Sequence, residues 1–365
     1  MEGPRAPTTA EFDRLILFLD QNLRAGQQWS VAQEYPTAVS TKNIHNFRII
    51  TEQNDIVSHA VIRPTIIKTR RGLFKVGCIG SVVTHQSYRN KGHSQAIMQE
   101  CIQAVTEQGC DIAMLWTNLW DFYRKLGFEL AGSEVSLVVG NSFRFTSEKK
   151  YKIIEGNKID PQAFLRVYMQ HTVSSVRTLD ELDKYLKIPN SRIYTAWDDE
   201  NKMIAYAVEG KGADLNGYVH EWGGSVDALM SLFAHIQKAQ KRDITVISPS
   251  HSVNLIRAVE AAGARRVDGF LGMLKITNAN ALFAKVMRNA RQEFGIQDFV
   301  IEKKDGAYYF GTGQDLFKTT QEADILRLLF GPQKPSAAHD YGTEMNTLLD
   351  RMFPMEMWVW GWESV

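Results

Sequence analysis

The chain of 365 residues is poor in cysteine, with only Cys78, Cys101 and Cys110. An odd number of cysteines without metal-type spacing does not form a disulfide framework, so we expect reduced, buried thiols in a cytoplasmic protein. Long apolar runs are missing as well, since no stretch of about 18 apolar residues occurs that would span a membrane. The histidines form no metal-like cluster, and we expect no metal cofactor.

An excess of charge of one sign is also missing. The 42 Lys and Arg residues balance 41 Asp and Glu residues, and the formal net charge is +1. We therefore expect no nucleic-acid partner and no anionic-membrane surface as a general ligand. Charges interrupt the apolar residues 12–19, which is typical of an amphipathic helix and not of a signal peptide. The length predicts two or three domains.

The most informative segment that is present is the basic loop at residues 87–94, Ser-Tyr-Arg-Asn-Lys-Gly-His-Ser. The apolar, β-branched residues 76–84 before it predict a buried strand, and apolar residues at helical spacing in 95–107 predict a helix after it. A strand that turns through glycine into a helix presents unpaired backbone N–H groups and the positive end of a helix dipole. The pattern therefore predicts a diphosphate-binding loop.

Three blocks of strands and helices follow from the pattern, and we predict domains at residues 1–150, 151–278 and 279–365. The first block has a parallel strand–helix–strand unit at its centre. Its predicted elements are a helix at 12–19, strands at 47–51, 56–62 and 76–84, a helix at 95–107, a strand at 112–117, a helix at 120–125 and a last strand at 134–139.

The second block repeats this order, with predicted strands at 193–197, 203–208, 218–222, 244–247 and 269–276 and with helices from 226 and around 253–262. Where the first block has the phosphate loop, the second has Glu221-Trp222-Gly223-Gly224-Ser225. A glutamate at such a site would repel a diphosphate. We therefore expect a duplicated fold that no longer binds the cofactor and that helps to shape a substrate cleft.

The third block ends in an unusually apolar tail. Residues 355–365 contain three tryptophans, whereas frayed tails are usually polar, so we expect this tail to pack inside the protein. Before the tail the pattern predicts a helix at 282–294, strands at 299–302 and 308–310, a helix capped by residues 319–322, and a loop at 331–341.

Two motifs resemble those of the GNAT acetyltransferase superfamily. Its acetyl-CoA loop, Arg/Gln-x-x-Gly-x-Gly/Ala, is similar to residues 89–94, with Ser94 in place of the last Gly or Ala. Its Phe-Tyr-x-x-x-Gly-Phe element is similar to residues 122–128. The resemblance covers residues 76–130 closely. It implies an α/β (α+β) class of tandem GNAT folds, with mixed, mostly antiparallel sheets flanked by helices.

The layout of the whole chain, which ends in Trp-Gly-x-x-Ser-Val, resembles the enhanced intracellular survival (Eis) acetyltransferase family. That resemblance implies an active GNAT domain, a degenerate second one and a small α/β domain similar to sterol carrier proteins. It also implies that the terminal carboxylate is threaded into the active site of the first domain. Tandem domains with apolar surfaces further predict a homo-oligomer of undetermined stoichiometry.

The resemblance implies acetyl-CoA as co-substrate. Backbone amides of the loop would hold the pyrophosphate with charge added by Arg89 and Lys91, and the strand before the loop would pair with the pantetheine arm. Asn118 would bond the pantetheine or adenosine end, or is a plain helix N-cap. The candidate cofactor residues are Val82, Val83, Thr84, Arg89, Asn90, Lys91, Gly92, His93, Ser94, Gln95 and Asn118.

Transfer to an amine needs a proton donor and a base. Tyr123 occupies the position of the usual acid of the superfamily, and a phenol with a pKa of about 10 stays protonated at neutral pH. The alternative is a tyrosine that only packs in the core. The base implied by the resemblance is the α-carboxylate of Val365, unless the tail merely packs. Glu34 and His85 are back-up bases, although His85 is more typical of a capping residue.

The sequence thus predicts an acetyl-CoA-dependent N-acetyltransferase of the acyltransferase class (EC 2.3.1). We expect direct attack by a primary amine, of a small molecule or a lysine side chain, in a ternary complex, because no activated Cys or Ser lies near the motifs. The alternative is a non-catalytic acyl-CoA or lipid-binding module without membrane insertion. The sequence does not identify the amine.

Overall fold

The computed structural model describes residues 1–313 and 315–365 and contains sheets of eight, seven and three strands. Up to residue 139 the elements are β1 (Glu2–Arg5), α1 (Phe12–Leu23), α2 (Val31–Glu34), β2 (Phe47–Glu52), β3 (Asp55–Thr69), β4 (Gly72–Thr84), α3 (His93–Glu107), β5 (Ile112–Leu115), α4 (Trp120–Arg124), β6 (Glu129–Ala131) and β7 (Glu134–Val139).

The following elements belong to the second predicted block. They are β8 (Lys152–Glu155), α5 (Pro161–Tyr168), β9 (Ser174–Ser175), α6 (Leu179–Tyr185), β10 (Arg192–Trp197), β11 (Met203–Lys211), β12 (Asp214–Gly224), α7 (Val226–Gln240), β13 (Ile244–Pro249), α8 (Val253–Ala261), β14 (Arg265–Gly269) and β15 (Gly272–Ile276).

The third block builds a small antiparallel sheet in the order β16-β17-β18. Its elements are α9 (Ala279–Phe294), β16 (Phe299–Lys304), β17 (Ala307–Thr312), β18 (Asp315–Thr319), α10 (Glu322–Phe330), α11 (Pro335–Ala338) and α12 (Thr343–Met352). The segment at 331–341, predicted as a loop, therefore contains one short helix. The predicted side-chain cap of α10 is wrong, because Gln321 stands at the N-cap without a side-chain bond.

Both predicted strand–helix–strand units are confirmed. β4 and β5 pair in parallel and are joined through α3, and β12 and β13 pair in parallel and are joined through α7. Every other strand pairing among the described residues is antiparallel. The chain therefore has the mixed, mostly antiparallel sheets that the sequence predicts.

Two strands pair with strands of a different predicted block. β7 belongs to the first block in sequence but pairs with β13 and β14 in the seven-stranded sheet. The strand expected at 269–276 is divided, because β14 stays in the second sheet while β15 lies between β5 and β6 in the first. A period-2 pattern shows which face of a strand is buried but does not name its neighbours. The eight-stranded sheet thus contains β9 and β15 from the second block, and the seven-stranded sheet contains β7 from the first.

The tail after α12 is buried, as the sequence predicts. Trp358, Trp360 and Trp362 are at most 2% exposed. Trp360 packs edge-on against Trp222, and Trp362 stacks on Tyr185, so the tail lies on the second block. From there it reaches the first sheet.

The three cysteines are free and buried. Burial raises the pKa of Cys78 and of Cys101 to about 12 and that of Cys110 to about 11, so all three thiols stay protonated at neutral pH. Within residues 1–313 and 315–365, no helix is both long and apolar enough to cross a bilayer.

Candidate active site

The glycine loop ends at the first turn of α3. Gly92 is the N-cap with φ of 83°, a left-handed conformation that glycine adopts without strain, and Asn90 is left-handed too, with φ of 62°. The first helical hydrogen bond runs from the Ala96 amide to the Gly92 carbonyl. The amides of residues 93–95 therefore have no partner within the helix, and the helix dipole adds positive charge there. This is the arrangement that binds phosphate groups.

Arg89 and Lys91, the charged side chains of the loop, contact neighbouring residues of the strand end and of the loop itself. The Arg89 guanidinium donates to the Thr84 carbonyl at 3.4 Å, and the Lys91 ammonium lies 4.6 Å from the centre of the Tyr88 ring. The His93 ring is buried and bonds Glu52 at 3.0 Å. His93 can therefore offer a ligand its backbone amide but not its ring. No sequence motif points to Glu52, which lies on β2, a distant segment.

A β-bulge interrupts β4 just before the loop. Val61 pairs with Gly80 and His59 pairs with Val83, so β4 uses one residue more than β3. Ser81, within the bulge, has φ of 48°, and its carbonyl accepts a hydrogen bond from His59 Nδ1 at 2.9 Å. Burial lowers the pKa of His59 to about 4, so the ring is neutral. Bulges bend strands and redirect side chains beside binding sites.

Beyond the bulge, neighbouring residues of β4 face opposite sides of the sheet. Val82 packs in the cluster with Tyr123 on the α3 side, whereas Val83 packs in the cluster with Val365 on the α1 side. At the end of the strand, the Thr84 hydroxyl lies 2.8 Å from the Ser94 hydroxyl and joins the strand to the start of α3. The candidate acid and the candidate base thus lie on opposite faces of one strand.

Tyr123 is 6% exposed and meets Phe122 and Phe128 edge-on. Burial raises its pKa to about 12. Among the described residues, its hydroxyl has no hydrogen-bond partner. It is therefore a protonated donor at neutral pH.

Other candidates fall into structural positions. Asn118 is exposed, and Leu119 is the N-cap of α4, so the N-cap alternative for Asn118 is wrong. His85 accepts from the Ser87 amide at 3.3 Å, which confirms its capping role. The buried carboxylate of Glu34 accepts from Arg24 through both oxygens, which leaves it poorly suited to act as a base.

The end of the chain reaches the bulged strand. A Cβ atom built on Gly80 would overlap the terminal carboxylate of Val365. The chain end thus fills the space that a side chain at position 80 would need. The structure therefore brings Val365 to β4, as the resemblance implies. The contact is possible because position 80 is a glycine, and no sequence motif points to this glycine.

An acidic cavity of about 290 Å³ opens beside this terminus, and we call it the acceptor cavity. Burial raises the pKa of Glu134 to about 7, and Asp214 accepts from Tyr35 and Arg24. The lining residues include Tyr35, Trp116, Glu134, Asp214, His220, Trp358, Ser364 and Val365. Sequence reasoning missed most of them because they come from separate strands and loops, and Glu134 lies on the exchanged strand β7.

Comparisons with known proteins agree with this architecture. Residues 5–131 match the family model described as acetyltransferase (GNAT) domain. Among curated proteins, no match to the chain is found. The first block is therefore similar to a GNAT acetyltransferase domain over residues 5–131.

Solved structures extend the likeness to the whole chain. The GCN5-related N-acetyltransferase from Anabaena variabilis superposes with a TM-score of 0.67 at 16% identity, covering 97% of this chain and 98% of the other. The GCN5-related N-acetyltransferase from Kribbella flavida gives 0.65 at 16% over the same shares. Eis1 from Mycobacterium abscessus gives 0.60 at 11% identity and covers 99% of both chains. These matches confirm the predicted fold class.

Proposed function

We propose that this chain is an acetyl-CoA-dependent N-acetyltransferase that acylates a primary amine held in the acceptor cavity. The observation that carries the proposal is the terminal carboxylate of Val365, which lies against the cofactor strand at Gly80 and lines the acidic cavity. The free amides of residues 93–95 support acetyl-CoA as the donor, because they suit a pyrophosphate. The other candidate cofactor residues keep the roles given above as proposals.

The reaction needs two proton transfers, and one residue on each face of β4 can perform one of them. The bound ammonium ion first loses one proton to solvent, because only the neutral nitrogen has a lone pair. The Val365 carboxylate then accepts a further proton from the amine, directly or through water, while the amine nitrogen bonds to the acetyl carbon. The bond from that carbon to sulfur breaks, and Tyr123 gives its phenolic proton to the departing thiolate. The β4 backbone beside the bulge polarises the acetyl carbonyl. No covalent enzyme intermediate is required.

The composition of the acceptor cavity supports a small cationic amine as substrate. The terminal carboxylate supplies negative charge, Glu134 adds to it when ionised, and Tyr35 and Trp116 supply aromatic faces for cation–π contacts. Asp214 is already paired with Arg24. The volume of about 290 Å³ suits a small molecule or the end of a lysine side chain. The three domain limits, a sterol-carrier-like third domain, a homo-oligomer and a cytoplasmic location remain proposals.

The test is thiol release from acetyl-CoA with a panel of polyamines, aminoglycosides and lysine peptides. We expect release that depends on the amine. Acetyl-CoA binding without release for any amine would favour the alternative, a non-catalytic acyl-CoA-binding module.

A chain with a C-terminal carboxamide, made by ammonia cleavage of an intein fusion, tests the base. It keeps every side chain but loses the carboxylate, and we expect kcat to fall by about 10²- to 10⁴-fold. The matched control is Val365→Ala, which keeps the terminal carboxylate and should stay active. Full activity of the carboxamide would disprove the role of Val365.

Tyr123→Phe tests the acid. Since the hydroxyl has no partner among the described residues and only the phenolic proton is lost, we expect a folded protein with kcat lowered by about 10²-fold or more. Acetyl-CoA affinity, measured by calorimetry, should be retained. Unchanged turnover would leave Tyr123 as a core residue.

A further inference from the structure

A buried lysine of the second block holds the last turn of the tail. Lys211, at the end of β11, has no exposed surface. Its Nζ donates to the carbonyl oxygens of Gly361 at 2.9 Å and of Ser364 at 2.6 Å, and it lies 3.2 Å from the Ser364 hydroxyl. The Trp362 carbonyl is a fourth acceptor at 3.4 Å, so four oxygens of the tail share the three protons of the ammonium form. The Ser364 carbonyl is one peptide unit from the terminal carboxylate.

A second buried cation fixes the same turn from the side. Arg177 donates two hydrogen bonds to Glu363, at 2.5 and 2.7 Å, and two to Glu221, both at 2.9 Å. Glu221 stands where the sequence suggested a lost phosphate site. Its side chain anchors the arginine that grips the tail.

Burying the ammonium group of Lys211 costs free energy that a space-filling role alone would not require. Burial lowers the pKa of Lys211 to about 7, which reflects the free energy needed to remove an ammonium from water. An apolar side chain of similar volume would avoid that cost. An apolar residue could not donate a hydrogen bond to the Ser364 carbonyl and so could not fix its orientation.

We propose that Lys211 is a positioning residue, which acts through the Ser364 carbonyl to hold the Val365 carboxylate against Gly80. This inference rests on the proposed function, because it assumes that the carboxylate takes part in acetyl transfer. The second block then has a definite task in the reaction. It has no cofactor loop of its own, and it supplies the side chain that places the terminus in the first sheet.

The test compares Lys211→Met in the native chain and in the chain with the C-terminal carboxamide. In the native chain we expect kcat to fall about 10- to 100-fold, since misplacement of a reacting group by about 1 Å can cost that much. The KM for acetyl-CoA should change less than about twofold, because the hydrogen bonds of the Lys211 ammonium go to the tail and not to the loop at residues 89–94. In the carboxamide chain the substitution should lower the residual kcat no further.

Two controls separate positioning from folding. Lys187→Met removes an exposed lysine of the same block and should leave all parameters unchanged. Lys211→Gln keeps two amide donors and should recover part of kcat, and it serves as the test variant if Lys211→Met does not fold.

Three outcomes would overturn the proposal. The first is a folded Lys211 variant with native kcat beside an inactive carboxamide chain, which would leave the proposed base intact. The second is an equal further loss in the carboxamide chain, which would mean that Lys211 does not act through the carboxylate. A fully active carboxamide chain is the third, and it would remove the proposed base along with the inference.

Discussion

The two parallel strand pairs of this molecule begin alike and end differently. β4 and β5 are paired only through residues 76–78, and β12 and β13 only through Tyr218 and Val219, after which each pair separates. In the first pair β4 continues through a bulge into the glycine loop. In the second, the Trp222 indole donates to the Ile247 carbonyl at 2.9 Å, and Trp360 of the tail packs on Trp222. The same gap is thus filled by the chain itself in the second block.

The glycines at the two gaps show the same contrast. A Cβ on Gly92 would meet nothing within 4 Å, so this glycine faces open space at the start of α3. A Cβ on Gly224 would overlap the carbonyl of Ile204, and one on Gly223 would lie 2.8 Å from the Tyr206 ring. Glycine therefore leaves room for a ligand in one block and allows close packing of strands in the other. A glycine-rich segment alone does not distinguish these two uses.

The largest expected effect concerns Arg177, the buried cation beside the filled gap of the second block. Its loss should lower the stability of the protein. Arg177→Met leaves Glu221 and Glu363 buried without a cation, and we expect the free energy of unfolding to fall by about 3–5 kcal/mol at pH 7. Burial raises the pKa of Glu221 to about 7 even beside the arginine, and loss of the arginine removes the cation that opposes this rise. The native state then binds more protons, so the deficit should shrink as the pH falls from 7 to 5.

Urea titrations followed by tryptophan fluorescence measure this loss, since the tail tryptophans are buried. The triple variant Arg177→Met, Glu221→Gln, Glu363→Gln is the control, and it should recover much of the stability because none of the three charges of this cluster remains. Acetyl-CoA binding should survive in both variants. An Arg177→Met chain as stable as the native one would show that the tail is held without this cluster.

The two glycines should respond differently to the same substitution. Gly92→Ala places a side chain in a left-handed conformation beside the free amides, so we expect the KM for acetyl-CoA to rise about tenfold, with a stability loss of about 1 kcal/mol. Gly224→Ala overlaps the Ile204 carbonyl, so it should lower the melting temperature more and leave the KM for acetyl-CoA unchanged in the folded fraction. Steady-state kinetics and thermal unfolding of both variants check the contrast, and identical profiles would contradict it.

The sequence predicts local features of the fold well because they depend on neighbouring residues. The glycine loop and α3 follow from residues 76–107, and the buried tail follows from its tryptophans. The partners of β7 and β15 do not follow, because alternation leaves the neighbouring strand undefined.

In the candidate site, the motif residues were found and their long-range partners were missed. Glu52, Gly80 and Lys211 contribute through contacts with residues far away in the chain, which no local pattern encodes. The only sequence feature that could have indicated the contact between Lys211 and the tail is a lysine at the end of an apolar strand. It has the same appearance as a solvated strand end.

The smallest expected effect concerns the carboxyl group that the exchanged strand brings to the acceptor cavity. Burial raises the pKa of Glu134 to about 7, so this group gains its charge between about pH 6 and 8. A quaternary ammonium probe has a fixed charge, and its inhibition constant against the amine should fall about two- to tenfold across that range. Burial lowers the pKa of His220 to about 3, so this neighbour stays neutral throughout.

Lys211 bonds Ser364 beside this cavity, and burial lowers its pKa to about 7, so it loses its charge over the same pH range. Glu134→Gln should therefore remove only the part of the pH dependence that comes from the carboxyl group, whereas Glu155→Gln, on the exposed β8, should preserve all of it. A stability measurement gives an independent check. The native state holds a proton on Glu134 that the unfolded chain has already released between about pH 4.5 and 7, so the stabilising contribution of this group is lost as the pH rises through 7. Relative to the native chain, Glu134→Gln should therefore gain stability at pH 8 and not at pH 4. A pH-independent inhibition constant in the native chain would place the charge of Glu134 outside the reach of the amine.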